Sequence, residues 1–144
     1  MITAKSLEIR LHKQIPVSQF MQVEVIRFEN DIELSCDLAP NHNHLGTAFG
    51  GSLSALMILA AYCQLFRLIS ENGHVVLKST SMQFLIPVEE KLHAICQSPS
   101  SEQIENFVKT YEKKKKARMT LESQIVLADG RIACTLVGEF VAVQ

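Results

Sequence analysis

An apolar stretch from Leu53 to Ile69 constrains the fold more than any other part of this sequence. It contains Ser54, Gln64 and Arg67, and a transmembrane helix needs about 20 consecutive, predominantly apolar residues, so the stretch is too short and too polar to span a bilayer. Between Leu53 and Leu68 it is apolar on nearly every side of a helix, so we interpret it as a core helix that other elements must enclose.

The segments before this helix predict a short helix and a hairpin. Leu7 and Leu11 lie four residues apart among charged residues, and Pro16 prevents continuation, which predicts a helix over residues 4–14. Apolar residues then alternate over 21–25 and again over 31–38, where Pro40 ends the pattern. We therefore predict two strands that form a hairpin with one solvent-exposed face.

The segments after the helix predict four more strands and a second small helix. Val75–Ile86 is a long strand that ends at Pro87, and a shorter strand covers 92–96. Capping-box spacing at Ser100 and Gln103 predicts a helix over 101–112. Asp129-Gly130 predicts a tight turn between two final alternating strands. The order predicts an α+β fold in which one antiparallel sheet curls around a single long helix.

Composition excludes several classes of protein. The 144 residues are 47% hydrophobic and 20% charged with a net charge of −1, which fits one domain over 1–144 and argues against disorder and against nucleic-acid binding. The four cysteines form no C-x-x-C pair, no histidines have metal-ligand spacing, and no signal peptide is evident. We expect buried thiols, no metal, no membrane partner and a cytoplasmic location.

The loop before the apolar helix carries a specific motif. Its run N-H-N-H-L-G-T-A-F-G-G-S-L over Asn41–Leu53 resembles the loop and central helix of hot-dog-fold acyl-thioester enzymes, and most closely the thioesterase family typified by the YiiD C-terminal domain. Similar matches near Pro16, Phe84, Pro87 and Phe140 extend the resemblance over nearly the whole chain. It implies a hot-dog fold, a homodimer or higher oligomer, and acyl thioesters of coenzyme A or acyl carrier protein as substrates, with no separate cofactor.

Thioester chemistry places negative charge on the carbonyl oxygen and therefore needs fixed hydrogen-bond donors. Gly50 and Gly51 lie where the loop becomes the helix, so their backbone N–H groups are candidate oxyanion donors, although two glycines also permit a tight turn. The resemblance implies that Asn43 contacts the thioester or orients water; the alternative is an Asx turn. We predict a catalytic role for Asn43, Gly50 and Gly51.

Further residues are predicted to bind the substrate. In the motif these are Asn41, which more simply holds the loop in shape, and Thr47, Phe49 and Ser52. Ser81 and Gln83 of the long strand are candidates if the site lies between subunits, as the family arrangement implies. Lys114 and Lys115, within the run Lys113–Lys116, are either a solvated surface or a site for the phosphates of coenzyme A or an acidic carrier protein.

The sequence lacks an evident general base near the motif. Many hot-dog thioesterases have a His and a carboxylate where this chain has Phe49 and Ile58, and no Asp or Glu occurs from Leu38 to Ser70. His42 and His44 remain without an assigned role, and Cys63 is expected to be a buried apolar side chain rather than a nucleophile. The first hypothesis is therefore hydrolysis of the thioester. The second is decarboxylation of a malonyl group on its carrier protein, which needs no base. The third is a non-catalytic module that binds acyl thioesters.

Overall fold

The computed structural model of the protein describes residues 1–144, and in it the apolar stretch is a helix surrounded by an antiparallel sheet. The helices are α1 (Ala4–Gln14), α2 (Pro16–Phe20), α3 (Gly50–Phe66) and α4 (Ser101–Lys114), with a 3₁₀ turn over Ala39–Asn41. The strands are β1 (Glu24–Phe28), β2 (Ile32–Cys36), β3 (His74–Phe84), β4 (Leu92–Cys96), β5 (Lys116–Val126) and β6 (Ile132–Val143).

Helix α3 is the centre of the hydrophobic core. Its apolar side chains pack against β2 to β6, and its polar Gln64 is fully buried with the amide nitrogen donating to the carbonyl oxygens of Asn30 at 2.8 Å and Cys96 at 3.1 Å. Ser123 of β5 donates to the Met57 carbonyl at 2.8 Å. These bonds satisfy the polar groups that enclosure removes from water, so the predicted core helix is confirmed.

The six strands form one sheet in the order β1-β2-β4-β5-β6-β3 with every pair antiparallel. Ser123 is paired with Leu136, and the Ser123 hydroxyl reaches α3, so this row of side chains is on the inner face of the sheet. Adjacent residues along each strand point to the outer face. The arrangement is the hot-dog fold that the sequence predicts.

The structure corrects several details of the prediction. The prediction missed the short helix α2, which begins at Pro16 because proline fits the first position of a helix. Helix α3 begins at Gly50, three residues before the first apolar side chain of the stretch, and α4 extends to Lys114. The predicted exposed face of the first hairpin is wrong at Ser35, which is fully buried between β1 and β4.

The two edges of the sheet differ in their protection. Along β1, the Glu8 carboxylate accepts from the Val25 N–H at 2.9 Å, and His12 Nε2 donates to the Val23 carbonyl at 2.7 Å. Helix α1 thereby closes this edge. Strand β3 has β6 on one side and no strand on the other for its 11 residues. An open edge of this length exposes unpaired backbone groups that readily pair with another strand.

All four cysteines are free and buried, as predicted. Burial raises the pKa of the Cys36 and Cys96 thiols to about 12, and raises the pKa of Cys63 further. No helix is both long and apolar enough to cross a bilayer. No group of three or more His, Cys, Asp or Glu side chains is arranged to hold a metal ion.

The closure of the β1 edge predicts an acid-dependent contribution to stability. Burial raises the pKa of Glu8, but hydrogen bonds from Lys5 and the Val25 N–H outweigh it, so the net pKa is lowered from 4.5. The stabilisation is therefore present at neutral pH and is lost as the pH falls through the lowered pKa of Glu8 in the folded protein. We expect Glu8→Gln to reduce the free energy of unfolding at pH 7 by about 1–2 kcal/mol.

Urea unfolding at pH 7 and pH 3 checks this expectation, and the difference between wild type and Glu8→Gln should shrink at pH 3. Glu105→Gln is the matched control, since Glu105 forms an exposed ion pair with Lys109. It should change stability by less than about 0.5 kcal/mol. An equal loss for Glu8→Gln at both pH values would show that the charge of Glu8 is irrelevant.

Candidate active site

The loop that precedes α3 is a small hairpin. The Asn43 N–H donates to the Thr47 carbonyl at 2.7 Å, and the Phe49 N–H donates to the Asn41 carbonyl at 2.8 Å. The turn closes when the Gly46 N–H donates to the Asn43 carbonyl at 3.1 Å, with Gly46 at a φ of +80°. This left-handed conformation favours glycine, which explains the glycine at that position of the motif.

The side chain of Asn43 holds the hairpin together. Its Oδ1 accepts from the N–H groups of Leu45 at 2.9 Å and Thr47 at 3.2 Å, and its Nδ2 donates to Thr47 Oγ1 at 2.9 Å. The Asx turn that the sequence left as an alternative is therefore present. One Nδ2 hydrogen remains without a protein partner, and the side chain is half-buried.

Asn41 anchors the loop to the rest of the protein. Its side chain is almost fully buried, and its Nδ2 donates to the carbonyl oxygens of Met21 at 2.9 Å and Asp37 at 2.8 Å. A third anchor joins the Ala48 N–H to the Val88 carbonyl at 2.8 Å. Both amide hydrogens of Asn41 are therefore engaged in fixing the loop, and the loop is held before any ligand arrives.

The first turn of α3 offers free donors. The N–H groups of Gly50, Gly51 and Ser52 have no protein partner, and the N-cap residue Phe49 provides no side-chain acceptor. Such N–H groups lie at the positive end of the helix dipole. N–H groups in this arrangement can stabilise negative charge on an oxygen atom.

The two glycines differ in their surroundings. A Cβ atom built on Gly50 meets nothing within 4 Å, so the space above this residue is open. A Cβ atom on Gly51 would lie 2.3 Å from the ring of Phe49, so that ring occupies the space. The sequence favoured the Gly50 N–H as the oxyanion donor but did not predict the packing of Phe49 on Gly51, for which the adjacency of Phe49 is the only signal.

Exposed apolar side chains occur on the loop and at the end of β3. Phe49 is 56% exposed, and Leu45 at the tip of the hairpin is 74% exposed. Phe84 and Leu85, at the end of β3, are each more than half exposed. Leu85 is held beside β6, where its N–H donates to the Ala133 carbonyl at 2.8 Å. A ligand or partner with apolar groups would remove this surface from water.

Four predicted residues do not lie with the loop in a single chain. Ser81 is paired with Val137 and Gln83 with Thr135, so both point to the outer face of the sheet, away from α3. Lys114 and Lys115 lie at the end of α4, where Lys116, Val143 and His74 form one cross-strand row at the start of β3. The loop before α3 instead contacts Val88, in the segment that follows the C-terminal end of β3. A role for these four residues remains a prediction.

The structure assigns no general base near Gly50. His42 is exposed, with Nδ1 lying 2.8 Å from its neighbour's carbonyl oxygen, and His44 is exposed at the turn. Glu90 accepts from the Ala128 N–H at 2.9 Å. Cys63 is buried in α3 with a raised pKa, as expected for a structural thiol. The arrangement can therefore stabilise an oxyanion without supplying an activated nucleophile of its own.

Two open clefts of about 370 and 450 Å³ lie elsewhere, between α4 and β5. The walls of the 370 Å³ cleft are mainly polar side chains such as Gln97, Gln103, Thr120 and Gln124, whereas the 450 Å³ cleft is also lined by Phe107, Ala117 and Met119. An acyl chain needs an apolar pocket, so the first cleft does not suit it. The exposed apolar surface around Phe49 is the better candidate, although it is open in a single chain.

Comparison with known proteins agrees with the geometry. A family described as "Putative thioesterase (yiiD_Cterm)" matches residues 4–144. A search of curated proteins gave no match.

Solved structures of the same fold cover nearly the whole chain. A protein of unknown function from Chlorobaculum tepidum is 27% identical with a TM-score of 0.90, covering 98% of this chain and 94% of that one. A "putative thioesterase" from Shewanella oneidensis is also 27% identical, with a TM-score of 0.85 and coverage of 98% and 97%. A thioesterase from Haemophilus influenzae shares the fold at 15% identity, with a TM-score of 0.76 and coverage of 100% and 92%.

The packing of Phe49 on Gly51 is testable by a double-mutant cycle. In the wild type, Gly51→Ala must displace the ring, whereas in a Phe49→Ala background the same change is free of this clash and gains helix propensity. We expect Gly51→Ala to be more favourable in the Phe49→Ala background, with a coupling of about 0.5–1.5 kcal/mol. Denaturant unfolding of the four proteins measures it. Additive changes in the cycle would contradict the packing.

Proposed function

The chain belongs to the thioesterase family typified by the YiiD C-terminal domain, and on that premise we propose that it hydrolyses acyl thioesters of coenzyme A or acyl carrier protein. The observation that supports the proposal is the set of unpartnered N–H groups on Gly50, Gly51 and Ser52, with open space above Gly50. These groups lie on a loop whose shape is fixed by hydrogen bonds within the protein. Preorganised donors of this kind stabilise the oxyanion of acyl transfer.

In the proposed reaction, the thioester carbonyl oxygen lies against the first turn of α3. Water attacks the carbonyl carbon, the oxygen becomes negatively charged, and the N–H donors stabilise it while the carbon–sulfur bond breaks. The products are a carboxylic acid and the free thiol of the carrier. The second proposed contact is a hydrogen bond from the remaining Nδ2 hydrogen of Asn43 to the attacking water or to the thioester carbonyl. The hydroxyl of Thr47 positions the Asn43 amide. Phe49 lines the path of the acyl chain, and Ser52 supplies the last free N–H.

We also propose that the working unit is a dimer. Strand β3 is an open edge, and the apolar side chains of Phe84 and Leu85 are exposed at its end. A second chain paired at this edge would cover both features. It would also provide a second wall for the open surface around Phe49.

Decarboxylation of a malonyl thioester is the second candidate. Here the carbon–carbon bond to the carboxylate breaks, carbon dioxide leaves, and the electron pair forms an enolate that takes a proton from water to give an acetyl thioester. The reaction needs donors to the enolate oxygen and no activated water. The lack of any carboxylate from Leu38 to Ser70 favours this candidate.

Mass spectrometry of the products separates the candidates. The purified protein is incubated with malonyl, acetyl and long-chain thioesters on coenzyme A and on acyl carrier protein. A free acid and a free thiol support hydrolysis, and a shortened acyl thioester supports decarboxylation. Unchanged substrates with measurable binding would support the non-catalytic module and refute both enzymatic candidates.

Gly50→Pro tests the N–H donor directly. Proline suits the first position of a helix, the preceding Phe49 already has the extended conformation that proline requires, and the space beside Gly50 is open. The substitution therefore removes one N–H with little structural change. Gly50→Ala is the matched control because it adds a Cβ atom and keeps the N–H.

Relative to Gly50→Ala, we expect Gly50→Pro to lower kcat about 10²–10³-fold. Circular dichroism and thermal unfolding should show the same fold for both variants. Equal kcat values for the two variants would refute the oxyanion role of Gly50.

Asn43→Asp tests the side-chain contact and distinguishes the two reactions. The Asp carboxylate still accepts from the N–H groups of Leu45 and Thr47, and the Thr47 hydroxyl can donate to it, so the hairpin is kept. A negative charge there would repel a malonyl carboxylate or an enolate but would serve as a base for water. We expect hydrolysis of acetyl thioesters to survive and decarboxylation of malonyl thioesters to fall at least about 10²-fold. A loss of both activities to the same degree would contradict this separation.

A further inference from the structure

The edge of β5 that faces away from β6 is only partly used by the sheet. Strand β4 pairs with β5 at only two residue pairs, next to Gln124, and the chain then turns at Pro99 into α4. Residues 117–121 of β5 therefore have a strand on one side only. We infer that this free edge and α4 form a groove that binds an extended peptide of another protein as an additional strand. This surface is separate from the loop at Gly50, so the inference goes beyond the proposed function.

The two open clefts between α4 and β5 run along this free edge. An outer-face side chain of β5, Arg118, and an inner-face side chain, Met119, line the same 450 Å³ cleft. A cleft that touches both faces of one strand lies along the edge of that strand, and β6 occupies the opposite edge. Both clefts are lined by Gln103 of α4 and by Thr120 of β5. They therefore form one continuous groove, the α4–β5 groove.

The backbone of β5 has no partner within this groove. In an antiparallel pair, alternate residues direct their N–H and C=O groups away from the neighbouring strand. None of the groups that residues 117–121 direct into the groove forms a hydrogen bond. The polar side chains of α4 do not replace the missing strand, because Thr110 donates to the Asn106 carbonyl and Gln103 caps its own helix. At the β1 edge, in contrast, side chains of α1 supply such bonds.

The shape of the α4–β5 groove determines which peptide fits. From Ala117 to Gln124, β5 extends about 24 Å, which is enough to pair with about seven extended residues. The buried side chains of Phe107 and Met119 form the base of the groove. Paired residues of neighbouring strands point to the same face, so alternate side chains of the peptide would contact this apolar base. The expected peptide therefore has apolar side chains at alternate positions and polar side chains between them.

Opposite charges at the two ends of the groove define a direction for the peptide. The lysines at positions 113–116 lie where β5 begins, are exposed and form no ion pair. Glu122 lines the other end and is also exposed without an ion pair. A strand antiparallel to β5 runs from Glu122 towards the lysines, as β4 does. Acidic groups are therefore favoured at the C-terminal end of the peptide.

A second copy of this chain does not suit the groove. All six strands are paired in the sheet, and even the edge strands β1 and β3 each have one neighbouring strand. A strand in the groove has β5 on one side and α4 on the other, so it has no room for a neighbour of its own. A single extended segment from a different protein meets this requirement.

Hydrogen exchange of backbone amides, followed by NMR, tests the inference without using catalysis. The probe is a synthetic acetylated peptide of about eight residues, with valine at alternate positions, serine between them and two aspartates at the C-terminal end. We expect saturating peptide to slow the exchange of alternate amides within residues 117–121 at least about tenfold, because these N–H groups acquire acceptors.

Two control peptides separate strand pairing from general adhesion. The same peptide N-methylated at the residues that pair with β5 cannot donate hydrogen bonds and should bind at least about tenfold more weakly. A peptide with lysines in place of the aspartates should bind more weakly at low salt, and this difference should shrink at high salt.

A matched pair of variants tests the location of the peptide. Asn106 is exposed on α4 and lines the groove, so the ring in Asn106→Trp would fill space that the peptide needs. Glu112→Trp is the control, because Glu112 is exposed on the same helix and lines neither cleft. We expect Asn106→Trp to weaken peptide binding at least about tenfold and Glu112→Trp to leave it unchanged. Circular dichroism should show the wild-type fold for both variants.

Four results would overturn the inference. No binding of the probe at millimolar concentration would exclude a peptide of this chemistry. Equal binding of the N-methylated peptide would exclude strand pairing. Slowed exchange along β3 instead of residues 117–121 would place the peptide at the other open edge. Protection of residues 117–121 that rises with protein concentration in the absence of peptide would make a second copy of this chain the occupant. None of these measurements uses turnover, so each result is distinguishable from a failure of the proposed function.

Discussion

The enclosure of α3 is the constraint on which the rest of the structure depends. A helix that is apolar on almost every side cannot remain at a surface, and no second long helix is available in the chain to cover it. The sheet therefore curls around it, with β2 to β6 contributing their inner faces. Three hydrogen bonds, one to the Met57 carbonyl and two from the Gln64 amide, fix the position of the helix within the sheet. The free N–H groups at Gly50 are thus held at one end of a rigid element, and a rigid element is what oxyanion stabilisation requires.

Most of the fold follows from residue patterns because those patterns reflect burial. The alternation in β5 and β6 and the apolar stretch of α3 arise from the same inner face, so they identify the elements and their order. Rules based on neighbouring residues failed where contacts between distant parts of the chain determine burial or helix boundaries. Ser35 has the position of a solvent-facing residue, yet β1 and β4 flank it on both sides. Pro16 was a correct sign of the end of α1 but also began α2, which needs only five residues.

The candidate site was predicted less completely than the fold, because its chemistry depends on which atoms are already engaged. The motif identifies Asn41, Asn43 and the two glycines by type alone. Only the structure shows that both amide hydrogens of Asn41 bind backbone carbonyls and that one amide hydrogen of Asn43 has no partner. It also shows that the lack of a side chain at Gly51 makes room for the ring of Phe49. Lys116 lies level with the start of β3 only because of the crossover that places β3 beside β6, and no local pattern encodes that crossover.

That crossover also determines when the sheet is completed. His74 of β3 is paired with Val143 of β6, nearly seventy residues later in the chain, whereas β5 and β6 join through a tight turn. Pairings between distant segments close slowly because the intervening chain must first be ordered. During synthesis β3 therefore lacks its only neighbouring strand until β6 has emerged, and both of its edges remain unpaired while α3 already exposes its apolar surface. Folding of this protein is consequently most vulnerable to aggregation just before β6 is made, when β3 presents two unpaired edges instead of one.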